Sequence, residues 1–191
     1  MTGSPGVGKT TVAKELTSRL NARYISLSDV VRELSLVSGV DETRDVVIAN
    51  VNALSGYVEG IVSRSEGDVV IEGHYAPDVI PEGGVPYVFV LRRDPEYLWA
   101  ALVARGYNER KVIENVTSEI LDVCMVDAVR KYGLGGVYEI DVTKMTFEET
   151  ADEILKVLEG RTRCKAGNVD WLHTLEREGR LAQMLSKIGK E

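Results

Sequence analysis

The sequence predicts a three-layer α/β domain built on a parallel sheet, on three observations. Residues 3–10 read Gly-Ser-Pro-Gly-Val-Gly-Lys-Thr, a glycine-rich turn ending in Lys-Thr. Directly after it, Val12, Ala13, Leu16 and Leu20 recur at the spacing of a helix with one buried stripe. Four short runs rich in β-branched and aromatic residues follow at 24–27, 69–71, 87–91 and 137–140. They are apolar throughout rather than alternating, as parallel strands covered on both faces require.

The segments between those runs read as helices over residues 29–36, 43–64, 95–105, 109–132 and 147–158. Such alternation closes into right-handed crossovers. The glycine-rich turn belongs at the end of a central strand, which gives the strand order 2-3-1-4-5 with the turn's own strand as 1. Only Met1 and Thr2 precede Gly3, so that first strand reads as truncated, with Met1 its last apolar residue. Either the true start lies upstream or the sheet lacks its middle strand. The first is the expectation, because a missing central strand leaves its neighbours' backbone groups buried and unpaired. A Gly- and charge-rich stretch at 160–167 separates a domain of residues 1–160 from a tail, 161–191. In the tail, Trp171, Leu172, Leu175, Leu181, Leu185 and Ile188 form a one-sided stripe when helical, and one amphipathic helix docked on the body is expected.

Length and charge narrow the function. With 191 residues, 44% of them hydrophobic, the chain has the size of one domain with a small appendage. The net charge is −7, and residues 161–191 hold 7 basic and 4 acidic residues, leaving −10 on residues 1–160. A body that acidic does not hold a nucleic-acid backbone, and it suits a basic protein partner. No run approaches the ~18 apolar residues of a membrane-spanning helix, and the N-terminus carries no signal pattern. Cys124 and Cys164 lie outside any metal-ligand spacing, which speaks against zinc and for a reducing, cytoplasmic setting.

The residues that carry chemistry begin with the turn itself. It fits G-x-x-x-x-G-K-[ST], the P-loop of nucleotide triphosphatases and kinases. Gly3, Gly6 and Gly8, with Val7 between them, let successive backbone N–H groups converge on phosphate oxygens at a helix N-terminus. Lys9 is placed to reach the β- and γ-phosphates of ATP, the Thr10 hydroxyl to bind Mg²⁺, and Thr11 to donate to the α-phosphate. Glu72 ends the 69–71 run, where an acidic residue serves the Mg²⁺ shell, and His74 follows two residues later as a candidate water-orienting group. Asp29 and Arg32 open a helix after the second strand, the place of a phosphate acceptor. Arg105 and Arg110 flank a turn, Gly106-Tyr107-Asn108, that could close over the donor. Arg92 directly follows the 87–91 run. Residues 141–144 either border the adenine or form a plain strand-to-helix turn.

Four segments together resemble a known family: 3–11, Ser28-Asp29 with Arg32-Glu33, Glu72-Gly73-His74, and above all Arg105-Gly106-Tyr107-Asn108-Glu109-Arg110-Lys111. They are similar to the nuclear and archaeal adenylate kinases of the isoenzyme 6 type, over about residues 1–160. The resemblance implies a P-loop NTPase fold of the nucleoside monophosphate kinase type. It implies broad-specificity transfer from ATP to a monophosphate, with AMP leading, together with ATP hydrolysis and a role in small-ribosomal-subunit maturation beside the ribosomal protein uS11. By position, Gly6, Gly8, Lys9, Thr10 and Thr11 would bind ATP. Residues 27–50 would form the monophosphate-binding segment and 104–114 a short lid, with Arg105 on the ATP. The family motif has Asp-x-His where this chain has Glu72-Gly73-His74.

Overall fold

The computed structural model of the chain describes residues 1–41, 46–81, 83–163 and 165–189. The order of elements is α1 (Lys9–Leu20), β1 (Arg23–Ser26), α2 (Leu27–Glu33), β2 (Val37–Asp41), β3 (Val46–Ala49), α3 (Val51–Val62), β4 (Val69–Glu72), α4 (Ala76–Val79) and β5 (Val88–Arg92). Then come α5 (Pro95–Ala104), α6 (Glu109–Ile120), α7 (Val123–Tyr132), a 3₁₀ turn, β6 (Val137–Asp141), α8 (Phe147–Leu158), α9 (Trp171–Arg177) and α10 (Leu181–Ile188). Local signals account for many boundaries. Asp94, Asn108 and Asp170 each accept a backbone N–H of the helix they precede, and Thr146 with Glu149 forms a capping box on α8.

β1 pairs in parallel with β4, and β5 in parallel with β6. Met1 and Thr2 join the two halves. The Met1 amine donates to the Ile71 carbonyl at 2.7 Å, and Gly73 N–H donates to Met1 O at 3.2 Å. On the other side, Thr2 N–H reaches Phe89 O at 2.8 Å and Leu91 N–H reaches Thr2 O at 3.0 Å. The spatial order is therefore β1-β4-(Met1–Thr2)-β5-β6, the expected 2-3-1-4-5. Helices cover both faces. Val12, Leu16, Leu98, Leu102, Val116 and Ile154 are buried in one cluster, and Leu27, Leu54, Val58 and Val79 in another.

Three expectations fail locally, each for a physical reason. Residues 43–64 are not one helix. β2 and β3 form an antiparallel ladder, Val40 opposite Val47, because the β-branched residues of 37–48 favour a pleated surface over a helix; residues 42–45 lie outside the described residues. The helix expected over 109–132 breaks at Asp122, a left-handed residue with φ 57°, which pairs with the Arg92 guanidinium. The tail is two helices, α9 and α10, parted at Gly179 with φ 71°. Trp171, Leu175 and Met184 are buried against the body while Leu172 and Leu185 are exposed, so the expected stripe is only partly the docking face. Cys164 lies outside the described residues.

A cavity of about 560 Å³ continues the line of Met1 between β4 and β5, lined among others by Leu16, Leu20, Val69, Ile71, Val88 and Phe89. Alternate residues of a parallel strand turn N–H and C=O to the same side, so Val69 and the N–H groups of Ile71 and Phe89 face this gap. Burial pulls the Met1 amine down to about 5. Four apolar β-branched residues joined to that amine are expected to fill the gap. At ~1.5–3 kcal/mol per buried aliphatic side chain, and roughly 2–4 °C per kcal/mol at this size, the melting temperature should rise by more than about 10 °C. A Gly-Ser extension of equal length is the control, and equal melting temperatures for the two would overturn the reading of the cavity. The sign with pH is also set. A group depressed in the folded state binds more protons when unfolded, so stability falls as pH drops from 8 toward 5 through the Met1 amine. The apolar extension should remove that part of the pH slope.

Candidate active site

The loop of residues 3–9 starts from the short Met1–Thr2 strand and is shaped by close approach. A Cβ on Gly3, at φ 137°, would lie 2.4 Å from the Leu91 carbonyl oxygen. Gly8, at φ 102°, turns the chain into α1. The loop is wrapped around its own lysine. Lys9 Nζ donates to Gly3 O at 2.8 Å and Ser4 O at 3.0 Å, and burial holds its pKa below the ordinary lysine value. To meet an anion, Lys9 has only to exchange two carbonyls for phosphate oxygens, a stronger charge-assisted pairing.

Glu72, buried at the end of β4, lies beside the start of α1. Its Oε1 accepts from Thr10 Oγ1 at 3.1 Å and from the Tyr24 hydroxyl at 3.1 Å. Burial and the Glu72 charge push Tyr24 up to about 12, so it remains a donor. Thr10 and Glu72 thus present hard oxygen ligands side by side. That donor set suits Mg²⁺, which takes one or two protein oxygens and completes its shell with water and phosphate. Among the described residues no group of three or more His, Cys, Asp or Glu side chains gathers for a metal. The His74 ring lies against Tyr75, 3.7 Å from ring centre to ring centre and tilted by 52°. Burial, and after it the Lys9 charge, lowers His74 to about 4, so its imidazole is neutral near physiological pH.

These groups share one cleft of about 290 Å³. Gly6, Gly8, Lys9, Thr10 and Thr11 form its floor, Glu72 and His74 one wall, and Asp29 and Arg105 approach from the flanks. Gly3 and the buried Val7 shape the loop from behind and do not line the cleft. Arg32 and Arg110 do not line it either. Arg32 is 74% exposed and pairs with Asp29 at 2.5 Å, and Arg110 pairs with Glu114 at 3.4 Å. Arg92 is no ligand at all: it is 1% exposed and ion-paired with Glu119, Asp122 and Glu139. Sequence reasoning missed Tyr24 and Ser26, and placed Ser28 and Tyr107 only as parts of longer segments. The available signal was position, since ligands of an open parallel sheet gather beyond the carboxyl ends of its strands, where Ser26 and Ser28 stand.

A sequence model of the AAA domain family matches residues 1–122. A Methanothermobacter thermautotrophicus protein described as "Putative adenylate kinase" is 38% identical over 171 residues, covering 90% of this chain and 95% of the relative. A protein of the same description from Methanocaldococcus jannaschii is 36% identical over 171 residues, covering 90% of both, and one from Pyrococcus furiosus 34% over 177 residues, covering 92% of both. Among solved structures, shikimate kinase from Bacteroides thetaiotaomicron superposes with a TM-score of 0.57 at 17% identity, over 83% of this chain and 95% of that one. This last likeness concerns the fold alone.

Proposed function

The chain belongs to the archaeal adenylate kinase family and carries its P-loop, and from that premise we propose that it transfers the γ-phosphoryl group of ATP to a nucleoside monophosphate, AMP first among them. The observation that supports this best is the shared cleft. The P-loop and Glu72 occupy one side, and Ser28 and Asp29 open beside them where an acceptor can enter.

In this reading the N–H groups of the loop and the start of α1 cradle the donor phosphates, and Lys9 follows the charge as it moves to the leaving oxygen. Thr10 and Glu72 would hold Mg²⁺, which when bound neutralises phosphate charge. Arg105 reaches the cleft from the end of α5 and would steady the transferring group. A phosphate oxygen of the monophosphate forms the new bond to the γ-phosphorus, and the β–γ bridging bond breaks with its electron pair leaving on ADP. The attacking oxygen is already anionic, so no side chain need take a proton. Initial rates of ADP formation with ATP alone, with ATP plus each monophosphate, and with ATP plus small hydroxylated metabolites test the proposal. A rate unchanged by every monophosphate would overturn it.

The neutral His74 at the wall of the same cleft favours ATP hydrolysis as a second activity. There the nucleophile is water, which must be oriented and must lose a proton. His74→Ala is expected to lower hydrolysis without acceptor by at least ~tenfold, the low end for a water-positioning group, and transfer to AMP by much less. Steady-state ADP formation with and without AMP checks this; equal proportional losses would assign His74 to the fold instead. The net charge of −10 on residues 1–160 favours a basic protein partner of the uS11 kind in ribosomal-subunit maturation. A pull-down with and without ATP tests that part.

A further inference from the structure

Glu119, in the last turn of α6, is 1% exposed and divides its carboxylate between two distant parts of the chain. Oε2 accepts from the hydroxyl of Ser4, inside the phosphate-binding loop, at 2.6 Å. Oε1 accepts from the Trp171 indole N–H at 3.0 Å, from Arg92 Nε at 2.8 Å and from the Arg93 backbone N–H at 3.1 Å. Arg93 in turn donates from Nη1 to Gly6 O at 3.2 Å, a second tie from this carboxylate to the loop. Ser4 is also one of the two residues whose carbonyl holds the resting Lys9. The loop is thus fastened at its second residue by a side chain that is itself fastened to the tail.

The tail end of that link is firmly seated. Trp171 is 5% exposed, and Leu175 and Met184 are fully buried in the main core. Glu139 Oε2 accepts the backbone N–H groups of Asn168 and Val169, just ahead of α9. Arg180, between the two tail helices, pairs with Asp94 at 2.8 Å and with Glu96 at 3.2 Å. A tail that only covered apolar surface would have no need to send its indole N–H into the carboxylate that holds the phosphate-binding loop.

We propose that Glu119 is a positioning residue for the P-loop and that the docked tail, through Trp171, keeps it in position, so that residues 171–188 are part of the nucleotide site. This rests on the reading of the cleft as the ATP site. Donors aimed at phosphate act only when held in place beforehand, and a loop of three glycines has little stiffness of its own. Nucleotide entry draws Lys9 away from Ser4 O, and the link carries that change to the Trp171 indole.

Two measurements test it. With Trp99→Phe as background, Trp171 is the only tryptophan, and Mg·ATP is expected to change its emission saturably. Ser4→Ala should abolish that response, while Ser4→Thr, which keeps the hydroxyl, should retain it. In turnover, Ser4→Ala and Trp171→Phe should each raise the KM for ATP about fivefold and leave the KM for AMP unchanged. The double variant should be no worse than either single one, because both cut the same link. KM values for ATP within twofold of the parent, or an additive double variant, would overturn the proposal. Should Trp171→Phe fail to fold, the Ser4 pair read by Trp171 emission decides alone. A parent chain that neither turns over ATP nor responds in emission overturns the reading of the cleft itself, which is a distinguishable failure.

Discussion

Lys9→Ala is expected to lower both phosphoryl transfer and ATP hydrolysis by about 10²–10³, the range for removing one preorganised electrostatic contact to the transition state. The resting structure says why the loss should fall on turnover more than on stability. Lys9 is a buried cation whose main partners are two carbonyls of its own loop, and burial already depresses its pKa. Removing it releases the loop from an internal clasp and relieves a desolvated charge, two effects that oppose each other. What cannot be replaced is the charge that follows electrons to the bridging oxygen as the bond breaks. Steady-state rates with and without AMP check this, beside a melting curve. Activity within threefold of the parent would overturn the P-loop assignment.

Arg92→Met should cause a large loss of stability. Its guanidinium is 1% exposed and meets Glu119 at 2.8 Å, Glu139 at 2.7 Å and Asp122, and it also donates to the Glu119 carbonyl at 2.9 Å. The cluster joins β5, β6 and the break between α6 and α7. Removing Arg92 leaves Glu119 and Glu139 deep in the protein with uncharged donors but without the cation that pairs them, which costs about 3–5 kcal/mol. At roughly 2–4 °C per kcal/mol for a domain of this size, the melting temperature should fall by about 6–20 °C. A fall under 3 °C would show that the neighbouring side chains relax to water. Methionine is chosen to keep the apolar stem, so that the loss reports charge pairing rather than a void.

The two changes mark how far sequence reasoning reaches. The placement of Lys9 was legible because it is local. Gly3, Gly6 and Gly8 set the turn, the helix starts at once, and a phosphate cradle needs nothing distant to be recognised. Glu72 was legible by its place after a buried run, and the strand order followed from the alternation of strands and helices. Arg92 was not legible. In sequence it is an arginine following a strand near a P-loop, which reads as a phosphate ligand just as well as a core ion pair. Its partners Glu119, Asp122 and Glu139 stand 27, 30 and 47 residues away, a separation no local pattern encodes.

The same division holds for the site. The sequence by itself determined the nucleotide-binding loop, the acidic residue beside it, the parallel sheet and the family, because each rests on short-range spacing or on backbone chemistry within a few residues. Only the tertiary structure decided that Tyr24 joins Thr10 on Glu72, that Arg32 pairs with Asp29 and Arg110 with Glu114 rather than lining the cleft, and that residues 37–41 and 46–49 pair as antiparallel strands. Those outcomes depend on which groups meet across the sheet and on how much water remains around them. A surface arginine pairs with whatever carboxylate its flexible stem reaches, and a buried one is placed by the sum of charges packed around it. The tail shows the rule most plainly: its apolar spacing predicted burial, but only the fold brings the Trp171 indole to the carboxylate that holds Ser4.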